Sequence, residues 1–372
     1  MTTGQRLTAS LIPVDEALIA LLDGLEPVAC IELPVAEAMG AVSAEVPLPC
    51  PFPKRDFAAA DGWAFRAQDL VGASSYSPLP LAGSPAWVEA GEPMPSGSDC
   101  VVDSDLVELS GPTFQVSGDA FPGQGVRRAG SDIGEGDLTI VAGQQLGALD
   151  LMLARAAGLK NLAVRRPRLG LIDIPAMAGH AVTAQLIAES ARAAGAHVVY
   201  SQAGGRDASA VAKAFNGGRC DLIVTIGGTG VGRTDATVEA LATSGRLIAH
   251  GIALQPGRTT ALGKVENTPV VALPGAPDQA LAAWWTLVLP VLDRLSGRLQ
   301  NTKMLPLARK ISSSVGIADI ALLKKSDGAW MPLAIGDLSL GRIVRADAWL
   351  AVPGSSEGFA AGTPVDAHML RV

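Results

Sequence analysis

The spacing of apolar residues changes several times along the chain, and each change predicts a different architecture. Over residues 14–25 the apolar positions fall at helical intervals (Val14, Ala17, Leu18, Leu21, Leu22), with Asp15 and Glu16 where a first turn would carry them. From about 46 to 136 short β-like runs broken by proline and glycine predict an all-β insert. A second helical stretch, 148–158, stops at Gly158. Arg165, Arg166, Pro167 and Arg168 read as a linker. Strand and helix patterns then alternate: strand 169–174, helix 181–194, strand 196–200, helix 207–215, strand 221–226, helix 234–243, strand 269–273 and an apolar helix 278–289. Such alternation predicts a parallel sheet with helices on both faces and a ligand at the carboxyl ends of the strands. From about 301 to 372 short alternating runs return and predict a small β-domain. No internal repeat is evident.

Length and composition narrow the function classes. A chain of 372 residues calls for two to four domains, and 48% hydrophobic residues supply ample cores. The 42 Gly and 25 Pro punctuate apolar segments and form no low-complexity tract, which argues against disorder. A net charge of −7 argues against nucleic acid or an anionic membrane surface as the main partner. Cys30, Cys50, Cys100 and Cys220 are scattered without a CxxC pair, as expected of free thiols in a reducing cytoplasm. The N-terminus lacks a signal-peptide pattern, and the longest apolar run, 280–289, stops at Pro290, short of the ~20 residues of a membrane span. A soluble cytoplasmic protein is expected.

The most informative segment is 222–235. An apolar, β-branched run ends in Gly227, Gly228, Thr229, Gly230, Val231 and Gly232, and a lone acid, Asp235, follows. Glycines at a strand end let the backbone turn tightly and approach a ligand, and N–H groups of such a loop feeding a helix suit a phosphate or other oxyanion. The spacing is neither a Walker loop nor a strict dinucleotide fingerprint. Asp235 could hold a divalent cation against a phosphate, or simply favour the dipole of its helix.

Several segments resemble one family in order along nearly the whole chain. The stretch from Asp56 through Asp61, Gly62 and Trp63 to Ala64 is similar to D-N-S-A-M-D-G-Y-A of the molybdopterin molybdenumtransferases, the MoeA and gephyrin E-domain family. Residues 90–102, with Gly91, Pro93, Pro95, Gly97 and Asp99, resemble T-G-A-P-L-P-x-G-A-D-A-V-V, and 126–133, with Arg127, Gly130 and Asp132, resemble V-R-x-x-G-E-D-I. The glycine loop resembles T-G-G-V-S-V-G-x-x-D. Pro256, Gly257 and Arg258 sit where the family has K-P-G-K, and Pro274, Gly275 and Pro277 where it has L-P-G-N-P. The resemblance implies insertion of molybdate into adenylylated molybdopterin with release of AMP and with Mg²⁺ assistance. Molybdate and molybdopterin-adenylate are then the substrates. It makes 227–232 the anion cradle, together with Arg258, Pro274 and Gly275. Asp56, Asp132 and Asp235 become the catalytic carboxylates, with Asp235 and Asp61 as metal candidates. It also implies an α/β multidomain fold: a discontinuous linker and dimerisation unit (1–45 and 134–166), a β-rich insert (46–133), an α/β molybdopterin-binding domain (167–300) and a C-terminal β-barrel-like domain (301–372). The family's elongated homodimer would share its cleft between subunits, and Arg345 would approach the anion site.

The departures from the family fall on polar groups. The acidic loop after the first strand of the sheet is absent around Ile172, Asp173, Pro175 and Met177. Phe57 and Ala58 replace Asn and Ser; Ala90, Gly230, Gln255, Arg258 and Ala276 replace Thr, Ser, Lys, Lys and Asn. Losing one preorganised oxyanion donor typically costs about 10²–10³ in rate. Two readings follow: a divergent transferase, or a binding protein on the same scaffold that holds molybdopterin or the finished cofactor for a competent paralogue or a molybdoenzyme apoprotein.

Overall fold

The strand that leads into the glycine loop, Leu222–Ile226, is buried at all of its positions, as its continuous apolar and β-branched composition demands. In the computed structural model, which describes residues 5, 10–44, 51–134, 137, 140–175 and 182–370, this strand lies inside a six-stranded sheet. The order is His197–Gln202, Arg168–Asp173, Leu222–Ile226, Thr268–Leu273, Ala261–Val265, Arg246–His250. The first four strands run parallel, and Ala261–Val265 runs opposite to them, pairing antiparallel with both of its neighbours. The alternation pattern predicts parallel strands alone. The mixed sheet arises because Val265 pairs with Thr268 across a two-residue turn, with Glu266 at φ 52, and so short a connection joins only antiparallel strands.

Successive side chains of the central strands go to opposite faces, as the strand period of two requires. Leu171 and Val224 enter a core with Ile187 of helix Val182–Ala193 and Leu281 of helix Pro277–Ala283. Ile172 and Ile223 enter a second core with Val211 and Phe215 of helix Ala208–Phe215 and Leu241 of helix Thr237–Ser244. Each such buried aliphatic side chain contributes about 1.5–3 kcal/mol.

The helix predicted over 278–289 does not stop before Pro290. Residues Trp284–Val288 widen into a π-helical turn in which the Leu289 N–H bonds to the Trp284 carbonyl. Pro290 then falls in the first turn of helix Leu289–Ser296, where no N–H is needed. The N-terminal helix spans Val14–Leu22, shorter than predicted, with Gly24 in the left-handed region just beyond it. Its Ala17 and Leu21 belong to the α/β core, and Ile12 pairs with Ile252. This part of the 1–45 segment therefore packs on the α/β unit. Strands Ile31–Pro34 and Val42–Ser43 instead flank Asn161–Arg165. Arg165 and Arg168 are strand residues, so the predicted linker shrinks to Arg166 and Pro167.

In the insert, Gly62–Phe65 lies between Ala86–Val88 and Cys100–Val102. A Cβ at Gly62 would stand 2.4 Å from the Val102 carbonyl oxygen, so only glycine fits this pairing. The C-terminal segment forms a sheet in the order Leu254–Gln255, Ala318–Ser326, Ala348–Val352, Pro364–Met369, Thr302–Pro306, with Ala329–Ile335 also on Ala318–Ser326. One strand of this sheet is thus donated by the α/β segment, and Trp349 stacks on Trp285 with ring centroids 5.5 Å apart. Among the described residues no helix is long and apolar enough to cross a membrane. Cys30, Cys100 and Cys220 are free, and Cys50 lies outside the described residues.

The glycine loop is fixed from far away in sequence. Ala236, which precedes helix Thr237–Ser244, has no side chain to cap it. Gln5 does so instead: its Oε1 accepts the N–H of Val238 (2.7 Å) and of Glu239 (3.3 Å), while its Nε2 donates to the carbonyls of Gly228 (2.9 Å) and Gly230 (3.0 Å). Gln5→Ala should cost about 1–2 kcal/mol in urea unfolding and speed amide exchange at Val238 and Glu239, and adding Ala236→Asp should restore the cap. Unchanged exchange at those two amides would contradict this role.

Candidate functional site

Register across the parallel strands sets Gln202, Asp173, Ile226 and Leu273 side by side at the carboxyl edge of the sheet. The loops that follow them border one cleft of about 640 Å³. From Arg168–Asp173 the chain goes first to His197–Gln202 on one side and then to Leu222–Ile226 on the other. The cleft therefore lies at a topological switch point, where open α/β sheets bind ligands.

Gly227 and Gly228 take φ 92 and 70, and a Cβ on Gly228 would stand 2.3 Å from Thr237 Oγ1. Four successive loop carbonyls are held by the protein. Thr237 Oγ1 donates to Gly227 (2.9 Å), the Thr237 N–H and Gln5 to Gly228 (3.1 and 2.9 Å), His250 Nε2 to Thr229 (2.9 Å), and Gln5 to Gly230 (3.0 Å). In a planar trans peptide each N–H points opposite to the carbonyl before it. The N–H groups of Gly228, Thr229, Gly230 and Val231 thus point away from these anchors, and all four residues line the cleft. This backbone arrangement suits an anion. The helix N-terminus behind it does not take part, because Gln5 already holds its amides.

Asp235 turns back onto the loop. Its Oδ2 accepts the Gly232 N–H (3.1 Å), and its Oδ1 pairs with Arg206 Nη2 (2.9 Å). A Cβ at Gly230 would lie 2.7 Å from Oδ2, and one at Gly232 2.9 Å. Glycine at 230 thus makes room for the carboxylate. Arg206 also donates through Nη1 to the Pro175 carbonyl. Each Asp235 oxygen already accepts one N–H, and Arg206 already balances the carboxylate charge that would draw a Mg²⁺ ion. Among the described residues no three His, Cys, Asp or Glu side chains form a metal-binding group. The backbone N–H groups and the arginine gathered here suit an anion.

A second carboxylate stands in the cleft. Asp173, buried at the end of its strand, accepts a hydrogen bond from the Tyr200 hydroxyl (3.1 Å). Burial and then the Asp173 carboxylate raise the Tyr200 pKa, which keeps its proton available for donation. The loop beyond, where the family's acidic residue has no counterpart, runs through 176–181, outside the described residues. Thr183 Oγ1 holds the Gly275 carbonyl (2.7 Å), which fixes Pro274 and Gly275 on the cleft wall.

The remaining sequence candidates lie elsewhere. Arg258 is exposed and does not line the cleft, although its neighbour Thr259 does. Asp56 accepts the Ala129 N–H (2.8 Å), and Asp61 accepts the Ala90 N–H (2.7 Å). Asp132 pairs with Arg127 through both oxygens, at 2.6 and 3.1 Å. These three acids brace loops around a separate hollow of about 870 Å³ lined by Phe57, Ala90, Arg127 and Arg128. Arg345 is exposed and donates to the Gly341 carbonyl of its own helix. Sequence reasoning missed Arg206, Asp173 and Gln5. Arg206 follows Gly204 and Gly205 after a strand, the same grammar as the glycine loop, and Asp173 is an acid at a strand end. Gln5 has no local signal.

Comparison with known proteins agrees over most of the chain. The model described as "MoeA N-terminal region (domain I and II)" matches residues 12–158, and "Probable molybdopterin binding domain" matches 179–294. The chain is 30% identical over 305 residues to Molybdopterin molybdenumtransferase 2 of Mycobacterium tuberculosis, covering 72% of this chain and 75% of that one. It is 26% identical over 384 residues to Molybdopterin molybdenumtransferase of Synechococcus elongatus, covering 92% and 95%. The crystal structure of the molybdopterin biosynthesis MoeA protein of Pyrococcus horikosii matches with a TM-score of 0.68 at 25% identity, over 98% of this chain and 100% of that one. The chain belongs to the MoeA family of molybdopterin molybdenumtransferases.

Proposed function

We propose that this protein acts in molybdenum-cofactor biosynthesis and binds molybdopterin-adenylate with a phosphate on the N–H groups of 228–231. The observation that carries the reading is the anchoring of the four preceding carbonyls, which turns those amides away from the protein's own acceptors. The ligand class comes from the names of the relatives, which are molybdopterin molybdenumtransferases. In this reading molybdate is the second substrate: the two dithiolene sulfurs replace oxygen ligands of molybdate, which leave as water, and water adds across the phosphoanhydride of the adenylate, so that AMP leaves and the pterin keeps its own phosphate. The loop amides hold the phosphate as charge shifts on it, Arg206 balances the Asp235 carboxylate, and Asp173 offers an acceptor to a ligand N–H. The reading needs no step through Mg²⁺.

Asp56 and Asp132 enter this reading from a second copy of the chain, since in one chain they stand at a different hollow from Asp235. One observation favours the alternative of a cofactor carrier: the carboxylate best placed to assist turnover is already occupied by Arg206 and Gly232.

Following AMP release from adenylylated molybdopterin with and without molybdate separates the two. The transferase gives molybdate-dependent AMP release that falls about 10²–10³-fold in Asp235→Ala. Tight pterin binding without AMP release assigns the protein to the carrier reading. If the cleft is shared, an equimolar mixture of inactive Asp132→Ala and Asp235→Ala chains, after subunit exchange, recovers roughly a quarter of the activity, because half of the dimers hold one intact site. No recovery, with exchange verified by mass, would place all the required groups in one chain.

A further inference from the structure

Arg206 and Asp235 form a half-buried ion pair at the mouth of the glycine loop, with side-chain exposures of 22% and 18%. The arginine is pinned at two points, through Nη1 to the Pro175 carbonyl and through Nη2 to Asp235 Oδ1. Its Nε is buried and has no hydrogen-bond partner among the described residues. Without Arg206 the cleft would carry two uncompensated carboxylates, Asp173 and Asp235, an arrangement that attracts a divalent cation. With it, one of the two is neutralised by the guanidinium. The guanidinium offers five N–H groups, of which Pro175 and Asp235 take two, so donors remain for a phosphate oxygen. Glycine at 230 and 232 completes the arrangement, since a Cβ at either would press on the paired carboxylate.

We infer that Arg206 is the resident cation of this site, taking at Asp235 the place a divalent metal would occupy, so that the cleft binds a phosphate-bearing ligand independently of Mg²⁺. The inference rests on the proposed phosphate cradle and specifies how its charge is balanced. It makes Arg206 a determinant of ligand affinity and of metal requirement, and it makes the missing Cβ at Gly230 part of the same device.

Calorimetric titration of the full-length protein with inorganic pyrophosphate and with AMP, in EDTA and in Mg²⁺, tests it. Wild type should bind with the same affinity in both buffers, to within about twofold. Arg206→Gln should weaken binding about tenfold to a hundredfold in EDTA, with Mg²⁺ restoring part of the loss, and Arg206→Lys should retain most of the wild-type affinity. Mn²⁺ titration followed by electron paramagnetic resonance should show no bound ion in wild type and a bound ion in Arg206→Gln, a readout that holds only if the variant is folded. Wild-type binding that disappears in EDTA would overturn the inference and leave the cradle standing. No binding of either probe in either buffer would overturn both.

Discussion

The carbonyl groups of Gly227, Gly228, Thr229 and Gly230 are all claimed by the protein itself, and the character of the cleft follows from that constraint. A peptide group that gives its oxygen to the interior turns its N–H the other way. The anchors come from three separate places: Gln5 at the N-terminus, Thr237 on the following helix, and His250 on the edge strand Arg246–His250. None of them needs a ligand to be in position. The loop is therefore preorganised, and a bound anion would find its donors already aimed, which is the condition under which backbone N–H groups act most strongly.

The departures from the family pattern are not independent losses. Gly230 stands where the family has a serine, and the room it leaves is filled by the Asp235 carboxylate, 2.7 Å from where a Cβ would be. The carboxylate is in turn closed by Arg206 and the Gly232 N–H. A small residue, a turned-in acid and an arginine thus form one coupled arrangement. The charge of Asp235 is thereby balanced within the chain itself.

Much of the fold was legible because its causes are local. The burial of Leu222–Ile226 follows from a continuous apolar run, and the helix Ala208–Phe215 from its spacing and the Asp207 cap. The antiparallel edge escaped notice because it depends on a two-residue turn at Glu266 and Asn267, a pair without the usual Asn-Gly signature. The continuation of the helix from Pro277 through Pro290 depends on a π-helical turn that no spacing rule foretells. In the site, the glycines and Asp235 could be read because they are contiguous. Gln5 could not, because 223 residues separate it from the carbonyl it holds. Arg206 acquires its meaning only from strand register, which brings the loop after Gln202 beside the loops after Asp173 and Ile226. Asp56, Asp61 and Asp132 matched the family in sequence, yet within one chain each is engaged with a neighbouring loop amide or arginine of the insert.

The most direct measurement of the central claim is an amide-resolved NMR titration of ¹⁵N-labelled protein with pyrophosphate. The account predicts the largest shifts at the N–H groups of Gly228, Thr229, Gly230 and Val231, with Val238 and Glu239 unmoved because Gln5 continues to hold them. Shifts centred instead on Val238 and Glu239 would mean that the anion takes the helix N-terminus and displaces Gln5, and would contradict it.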